Sequence, residues 1–263
     1  MIVSRRKLLG MGAAGAGGLL LSGCDQLNQN QTFRDGLASA EGLTMRSQRL
    51  LMGDALAREF TEADMSPHFR VNGSSKVEDS AYRRLLASGF AGWALQVGGL
   101  VHRPLALSLD ALKAMPQRSQ ITRHDCVEGW SAIGKWQGPQ LGAVLGAAGL
   151  LPSARYVVFH CADVLDGKPY YESIDLIDAF HAQTILAWRM NNAPLSEGHG
   201  APVRLRVERQ LGYKHAKFVM RIEVTQSLAG LYGGKGWVLG RQSRLPMVGR
   251  DLIHMIRRTA SPE

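Results

Sequence analysis

Short runs of alternating apolar and polar residues constrain the fold of this chain more than any other sequence feature. In such a run one side of a β-strand is apolar, so each run predicts a strand with a buried face. This alternation is found in Trp93–Val101, Val203–Val207 and Phe218–Val224. A buried strand is predicted at Tyr156–His160, and further strands are predicted at Ile121–Cys126, Tyr170–Ile174 and Ile185–Met190. The chain has no strand–helix–strand alternation, and its Gly-x-Gly-x-x-Gly match, Gly10–Gly15, follows no predicted strand, so the chain does not resemble a nucleotide-binding fold. The pattern predicts an α+β or mainly β domain.

Short helices are predicted around these strands. Residues 46–65 carry apolar side chains at helical spacing and predict a packing helix. Its stripe consists of Leu50, Leu51, Ala55, Leu56 and Phe60. Ser108 is placed to cap a second helix, and Pro139 to begin a third. The other predicted elements are a helix over Asp175–Phe180, a loop over Ala162–Pro169, and turns at Asn72-Gly73 and Asn191–Pro194.

The N-terminal residues predict an export signal rather than part of the fold. Arg5, Arg6 and Lys7 precede an apolar run, Gly10–Leu21, which is too short and glycine-rich for a membrane span. Paired arginines are typical of twin-arginine export. The run ends in Leu-Ser-Gly-Cys, which resembles a lipobox, so residues 1–23 are interpreted as a signal and Cys24 as lipidated. A soluble periplasmic protein cleaved nearby is the alternative. Residues 24–64 then form a tether and the N-terminal helix.

The net charge narrows the classes of partner. The chain has a formal charge of +9, and the basic residues Arg5, Arg6 and Lys7 account for three of these charges, which leaves +6 after residue 23. Nucleic acid is not expected as a partner of an exported protein. The remaining excess fits an anionic lipid surface, an acidic electron-transfer partner or an anionic cofactor, and charge alone does not choose among them.

The cysteines offer two interpretations. With Cys24 assigned to lipid, Cys126 and Cys161 remain, and an oxidising compartment favours a disulfide between them. The other interpretation makes Cys126 a metal ligand, with its thiolate stabilised by Arg123 and His124. The sequence has no Cys-x-x-Cys and no His-Glu-x-x-His, so the other ligands of a soft metal would have to come from elsewhere. The alternative without a chemical role is a cysteine that is buried in the core.

A basic segment downstream complements this cysteine. Arg204, Lys214 and Lys217 flank Gly212, where backbone amides can approach an anion. Guanidinium and ammonium groups suit phosphate oxygens. Solvent-facing residues on strand edges are the alternative interpretation.

Several blocks in the same order resemble the molybdopterin-binding domain of the sulfite oxidase family. They are Gly99-Leu100-Val101 with Leu107–Lys113, Cys126-Val127-Glu128-Gly129-Trp130 with Trp136-Gln137-Gly138, Met190–Leu195, His199–Arg204 and Gly212–Lys217. The resemblance covers residues 65–228 and is strongest to the bacterial periplasmic branch that contains a methionine-sulfoxide reductase catalytic subunit. It implies that family's α+β fold, with mixed, mainly antiparallel sheets and short helices.

The resemblance also implies a site. Cys126 would ligate the molybdenum of Mo-molybdopterin, whose dithiolene and oxo groups supply the other ligands. Asn72 falls where the family has an N-terminal cofactor contact, and Cys161 near a threonine that contacts the cofactor in the reductase branch. The remaining candidates for cofactor binding are His199, Arg204, Lys214, His215, Ala216 and Lys217.

The implied activity is two-electron oxygen-atom transfer to or from a small-molecule substrate, as sulfoxide reduction or sulfite-like oxidation. The sequence has no Cys-x-x-Cys-His motif for haem attachment, so electrons are expected to pass to or from a membrane haem protein or a c-type cytochrome. The alternative is a cofactor-binding or structural lipoprotein of a membrane complex without turnover. Residues 229–263 depart from the family pattern and are interpreted as a C-terminal extension.

Overall fold

The computed structural model describes residues 55–165 and 167–231, with isolated positions between Asn30 and Leu50. The predicted export signal, lipidated Cys24 and most of the C-terminal extension lie outside the described residues. The chain divides into two compact units between Ala55 and Leu56. In the first unit the described positions from Gln31 to Leu50 are helical and exposed. The second unit contains every strand described below.

The described part of the second unit has eleven strands and four α-helices. The strands are β1 (Ala94–Gly99), β2 (Leu105–Ser108), β3 (Gln117–Asp125), β4 (Ser131–Pro139), β5 (Tyr156–Leu165), β6 (Lys168–Asp175), β7 (Ile185–Ala187), β8 (Arg189–Met190), β9 (Ala193–Pro194), β10 (Arg204–Arg206) and β11 (Val219–Thr225). The helices are α1 (Ser80–Ala87), α2 (Leu109–Ala114), α3 (Leu141–Ala148) and α4 (Leu176–Ala179). Three 3-10 turns cover Glu62–Asp64, Glu197–His199 and Gly212–Lys214.

The strands form three sheets. The largest has the order β2-β1-β11-β5-β6, the second has the order β3-β4-β8-β9, and β10 pairs with β7. Strands β1 and β11 are parallel, and the other strand pairs of the described residues are antiparallel. The predicted α+β fold with mainly antiparallel sheets and short helices is confirmed.

The main core lies where α3 covers the five-stranded sheet. Leu141, Val144 and Leu145 of α3 are fully buried in one cluster with Leu95 and Phe159 of the sheet. Each such side chain contributes roughly 1.5–3 kcal/mol on leaving water. The helix ends at Gly149, whose φ of +68° is a conformation that glycine adopts without strain. This core fixes the sheet from which several cavity residues project.

Three local predictions are wrong. The helix predicted over residues 46–65 does not include Ala55–Thr61, which are not helical, because Phe60 N–H bonds to Ile121 of β3 (2.9 Å). Pro139 ends β4 instead of beginning α3. The loop predicted over Ala162–Pro169 is mostly strand, because Val164 of β5 pairs with Pro169 of β6 and Leu165 pairs with Lys168.

Candidate active site

Cys126 lies at the head of a tight turn that joins β3 to β4. Its N–H donates to the carbonyl of Trp130 (2.9 Å), and its own carbonyl accepts from Gly129 N–H (3.1 Å). Gly129 has a φ of +86°, which favours glycine at the position that closes the turn. The turn holds the half-buried Cys126 side chain in the wall of a cavity.

The cavity has a volume of about 140 Å³ and is built from four separate stretches of chain. These stretches are the Asn72-Gly73 turn, the Cys126 turn, the β5–β6 hairpin and the segment after β10. The lining residues are Asn72, Gly73, Ser74, Cys126, Val127, Glu128, Asp163, Leu165, Tyr170, Tyr213, His215 and Lys217. The structure thus brings together Cys126, Asn72, His215 and Lys217 of the predicted site.

Cys126 and Cys161 are both free thiols, so the alternative disulfide is not formed. Burial raises the pKa of the Cys126 thiol, and the Glu128 carboxylate raises it further. The positive charges expected beside Cys126 are not available to it. Arg123 pairs with Asp125 (3.0 Å), and burial together with the nearby Arg206 lowers the pKa of His124 to about 2, so its ring is neutral. The expectation that these two residues stabilise a thiolate is wrong.

Three buried acceptor atoms in the cavity wall have no hydrogen-bond partner among the described residues. They are Asn72 Oδ1, Asp163 Oδ1 and His215 Nδ1. Because His215 Nε2 lies 3.1 Å from the carbonyl of Gln210, it must carry the proton, which leaves Nδ1 as an acceptor. Buried polar atoms are rarely left unpaired, since each costs about 1–3 kcal/mol. These atoms are therefore arranged for a ligand that carries hydrogen-bond donors.

Lys217 is a buried cation in the same wall. Its Nζ donates to the carbonyls of Ser74 and Gly198. Burial and repulsion from Arg204 lower the pKa of Lys217 to about 7, and Asp163 partly opposes this shift. An anionic group beside Lys217 would restore its charge.

Behind the cavity two buried arginines stack on Trp136. The guanidinium carbons of Arg204 and Arg206 lie 5.0 and 4.2 Å from its ring centroid. Arg206 is paired with Glu208 (2.6 Å) and donates to His124 Nδ1 (2.8 Å). Arg204 donates to the carbonyls of His199 and His215, and its Nε has no partner among the described residues. Burial and Arg206 lower the pKa of Arg204 to about 9.

The predicted alternation of β10 is therefore wrong: Arg204, Leu205 and Arg206 are all fully buried. The strand alternation placed the arginines on a solvent-facing side, whereas Trp136 and Glu208 cover that side. Arg204 itself does not line the cavity, and its carbonyl partners are the backbone of two other predicted cofactor residues.

The other predicted residues lie outside the cavity wall. His199 bonds to Ser196 and to the carbonyl of Phe69, and Ala216 is buried in the main core. Lys214 forms an ion pair with Glu172 (2.9 Å). Cys161 lies on β5 with its thiol against the carbonyl of Phe159 (3.7 Å), and burial raises its pKa well above the usual value.

Sequence reasoning missed several lining residues. Asp163 and Tyr170 stand out, because both are polar groups that the β5–β6 hairpin carries into the cavity. Burial raises the pKa of Asp163, and its side chain accepts from Ser74. A carboxylic acid inside a polar, loop-like stretch gave no signal by itself. Recognising that the stretch is a hairpin would have indicated it.

This set of residues fits molybdopterin. The unpaired acceptors match the N–H groups of a pterin, Lys217 matches an anionic tail, and the Cys126 thiol is the kind of soft ligand that a molybdenum centre takes. Such a cofactor supplies the redox and oxygen-transfer chemistry, and the chain supplies binding, orientation and electrostatics.

Comparison with known proteins points the same way. The sequence profile of the oxidoreductase molybdopterin-binding domain matches residues 86–230. The chain is 37% identical over 218 residues to the putative protein-methionine-sulfoxide reductase subunit YedZ1 of Azospira oryzae, across 82% of this chain and 79% of that protein.

Two further proteins are similar over shorter parts. The protein-methionine-sulfoxide reductase catalytic subunit MsrP of Xanthomonas axonopodis pv. citri is 32% identical over 169 residues, across 59% of this chain and 51% of that protein. This chain therefore spans about half the length of that relative. The sulfane dehydrogenase SoxCD of Paracoccus pantotrophus superposes with a TM-score of 0.48 at 20% identity, over 66% of this chain and 46% of its own.

Proposed function

We propose an activity from the premise that this chain belongs to the family of oxidoreductases with a molybdopterin-binding domain, the sulfite oxidase family. It is a molybdopterin-dependent oxidoreductase. Its chemistry is two-electron oxygen-atom transfer.

The proposed metal ligand is Cys126. The observation that supports it is the convergence, in one cavity, of the Cys126 thiol with the unpaired acceptors of Asn72, Asp163 and His215. In this proposal the three acceptors bind pterin N–H groups, and Lys217 binds the anionic tail. Arg204 does not contact the tail directly in this proposal. It donates hydrogen bonds to the carbonyls of His199 and His215 and so positions the segment that binds the tail. Cys161, Lys214 and Ala216 do not line the cavity. In this proposal they lie beside the cofactor site and do not bind the cofactor directly.

The test is the metal content of protein isolated from its native host. We expect close to one molybdenum per chain in the wild type. Cys126→Ser, which is nearly isosteric, should lose the molybdenum-centred paramagnetic signal and lower kcat by at least about 100-fold, because the soft ligand is removed. Thermal unfolding of the cofactor-free forms serves as the control for folding. Wild-type activity in a folded Cys126→Ser protein would refute the ligand role.

For the substrate we propose the sulfoxide of an apolar thioether side chain. Exposed aliphatic residues, Val127, Val164 and Leu211, lie in or next to the cavity-lining stretches. An apolar rim favours a substrate with hydrocarbon around its sulfur over the small hydrated anion sulfite. Both methionine-sulfoxide reductase relatives are named for such a substrate. The alternative direction, sulfite-like oxidation, uses the same metal site.

A substrate panel separates these directions. With a reduced viologen dye as the electron donor, we expect faster turnover of a peptide that contains methionine sulfoxide than of free dimethyl sulfoxide. With ferricyanide as the acceptor, sulfite should be oxidised at least about tenfold more slowly. Faster sulfite oxidation than peptide reduction would contradict the proposed substrate.

The electron partner and the location are also proposals. The sequence has no haem-attachment motif, which supports a separate cytochrome, either a membrane haem protein or a c-type cytochrome. The arginine pair and lipobox support a periplasmic enzyme held at the inner membrane by lipid on Cys24. Among the residues that the structure describes, none forms a helix of the length and apolarity needed to span a bilayer.

A further inference from the structure

A chain of polar side chains leads from the cavity toward the surface through the β5–β6 hairpin. Its inner member is Tyr170, which lines the cavity. The Tyr170 hydroxyl lies 3.2 Å from Glu172 Oε1, and the Lys214 ammonium lies 2.9 Å from Glu172 Oε2. These contacts connect three proton-carrying groups, and the Tyr170 hydroxyl also lies 3.2 Å from the carbonyl oxygen of Tyr213.

The burial of these groups changes along the line. The Glu172 side chain is 1% exposed, whereas the Lys214 side chain is 19% exposed and so reaches solvent. A buried carboxyl group between a cavity and a partly exposed ammonium is costly to maintain for packing alone. Its position allows it to exchange a proton on both sides.

The charged and titratable groups around Glu172 define its protonation. Lys214 and the Ser173 N–H stabilise the carboxylate, while burial raises the pKa of Glu172. The Cys161 thiol and the Asp163 carboxyl lie on the neighbouring strand, and with Glu172 they raise the pKa of Tyr170, after burial itself. Tyr170 is therefore a neutral hydroxyl, which can pass a proton only when it receives another at the same time.

The proposed reaction requires such transport. Reduction of a sulfoxide breaks the S–O bond and converts R₂SO, two electrons and two protons into R₂S and water. The electrons come from the cofactor, which an external one-electron carrier reloads. Both protons must reach the substrate oxygen inside the cavity. The reverse direction releases two protons at the same place.

We propose that Lys214, Glu172 and Tyr170 form a proton relay between solvent and the cavity, with Glu172 as its internal reservoir. A proton that leaves the Tyr170 hydroxyl for the substrate oxygen is replaced from Glu172. Lys214 then recharges Glu172 and regains its own proton from water. This inference rests on the proposed oxygen-transfer function. It also gives Lys214 a role that its sequence position beside the cofactor segment did not indicate.

Glu172→Gln tests the inner part of the relay, because the amide keeps the shape and cannot release a proton to Tyr170. In the cofactor-loaded enzyme, with reduced viologen and a sulfoxide, we expect kcat to fall by about 100-fold with little change in KM. The solvent deuterium isotope effect on kcat should increase. Glu172→Asp should restore part of the rate. Glu223→Gln, a matched change at a half-buried glutamate outside the cavity that pairs with His160 and Arg221, should leave kcat unchanged.

Two readouts separate the relay from a structural role. The molybdenum content of Glu172→Gln should equal that of the wild type, and infrared titration of the loaded enzyme should show a protonated-carboxyl band that the variant lacks. Loss of molybdenum, or full molybdenum with kcat within twofold of the wild type, would overturn the relay. Wild-type enzyme without any sulfoxide turnover would instead refute the proposed function.

Lys214→Gln tests the outer part and serves if Glu172→Gln does not fold. Lys214 is partly exposed, so this variant removes the connection to solvent without opening the core, and thermal unfolding measures the cost of leaving Glu172 without its counterion. We expect a fall in kcat of about tenfold at neutral pH that becomes smaller as the pH is lowered, since acid can recharge Glu172 without Lys214. A folded, metal-loaded Lys214→Gln enzyme with wild-type kcat and pH profile contradicts the proposal.

Discussion

Lys217 is placed to bind an anionic ligand, and its burial lowers the stability of the folded protein when no ligand is bound. Its ammonium is buried against the carbonyls of Ser74 and Gly198, and its pKa is lowered to about 7, chiefly by burial. In the unfolded chain a lysine has a pKa of about 10.4. The unfolded state therefore binds more protons than the folded state between these values.

The sign of the pH dependence follows from this difference. Where the unfolded chain binds more protons, the free energy of unfolding rises with pH. For the cofactor-free protein we expect stability to increase between about pH 7 and pH 9, by an amount on the order of 2 kcal/mol. Lys217→Met should remove most of this increase, and it should be more stable than the wild type at pH 6. Denaturant unfolding at several pH values measures both effects.

The comparison with Lys217→Met matters because Arg204 also has a lowered pKa, of about 9, and contributes to the same trend at higher pH. Only the difference between the two proteins reports on Lys217. If the two proteins have parallel stability profiles, the buried ammonium is not the cause.

At the scale of elements, sequence alternation predicted strands where one face is apolar and failed where it is not. Strand β4 was missed because its buried face carries Gly134 and Gly138 beside Ala132 and Trp136, so its hydropathy does not alternate. Gly138 is needed there: a Cβ atom would lie 2.0 Å from the carbonyl oxygen of Leu186. Such a close approach of two backbones depends on the tertiary structure and cannot be predicted from a single sequence.

The candidate site was predicted only in part for a related reason. Cys126, Asn72, His215 and Lys217 belong to motifs that can be read locally, and all four line the cavity. Asp163 reaches it because β5 and β6 extend farther than their polarity indicates. The carboxylate partner of Lys214 is Glu172 of β6, which is likewise distant from it in sequence. Such pairings depend on strand register across the sheet.

The contact between β10 and β3 depends on one buried ion pair. Glu208 accepts from Arg206 (2.6 Å) and also from Gln120 of β3 (2.9 Å), while Arg206 donates to His124 of β3. Glu208→Gln leaves the Arg206 charge buried without its counterion. We expect a loss of about 3 kcal/mol in the free energy of unfolding. Chemical denaturation checks the value.

Glu223→Gln is the matched control, because Glu223 forms its ion pair with Arg221 on a half-exposed surface. Exposed pairs contribute about 0–1 kcal/mol. A Glu208→Gln protein no less stable than Glu223→Gln would show that the Arg206–Glu208 ion pair does not hold β3 and β10 together.

At the scale of the whole molecule, the cavity joins four stretches of chain that are far apart in sequence. Its wall contains Asn72–Ser74, Cys126–Glu128, Asp163 with Leu165, and Tyr213 with Lys217. A ligand that binds all of them stabilises the folded protein by mass action and reduces opening of each stretch.

Hydrogen exchange tests this coupling. When cofactor-loaded and cofactor-free proteins are compared, we expect slower amide exchange at all four wall stretches in the loaded form, and a higher Tm. Helix α2 (Leu109–Ala114) does not line the cavity and serves as the internal control. Protection confined to the Cys126 turn would mean that the cofactor does not contact the other three walls.

The order in which these walls are synthesised has a consequence for the cell. A ribosome produces the Asn72 turn early, Cys126 near the middle of the chain and Lys217 close to the end of the described domain. Until that last basic residue has emerged and β10 has joined β7, a nascent chain offers no pocket that could retain a cofactor. Loading is therefore expected only after Lys217 has been made, and a chain truncated before His215 should leave the ribosome unable to acquire metal.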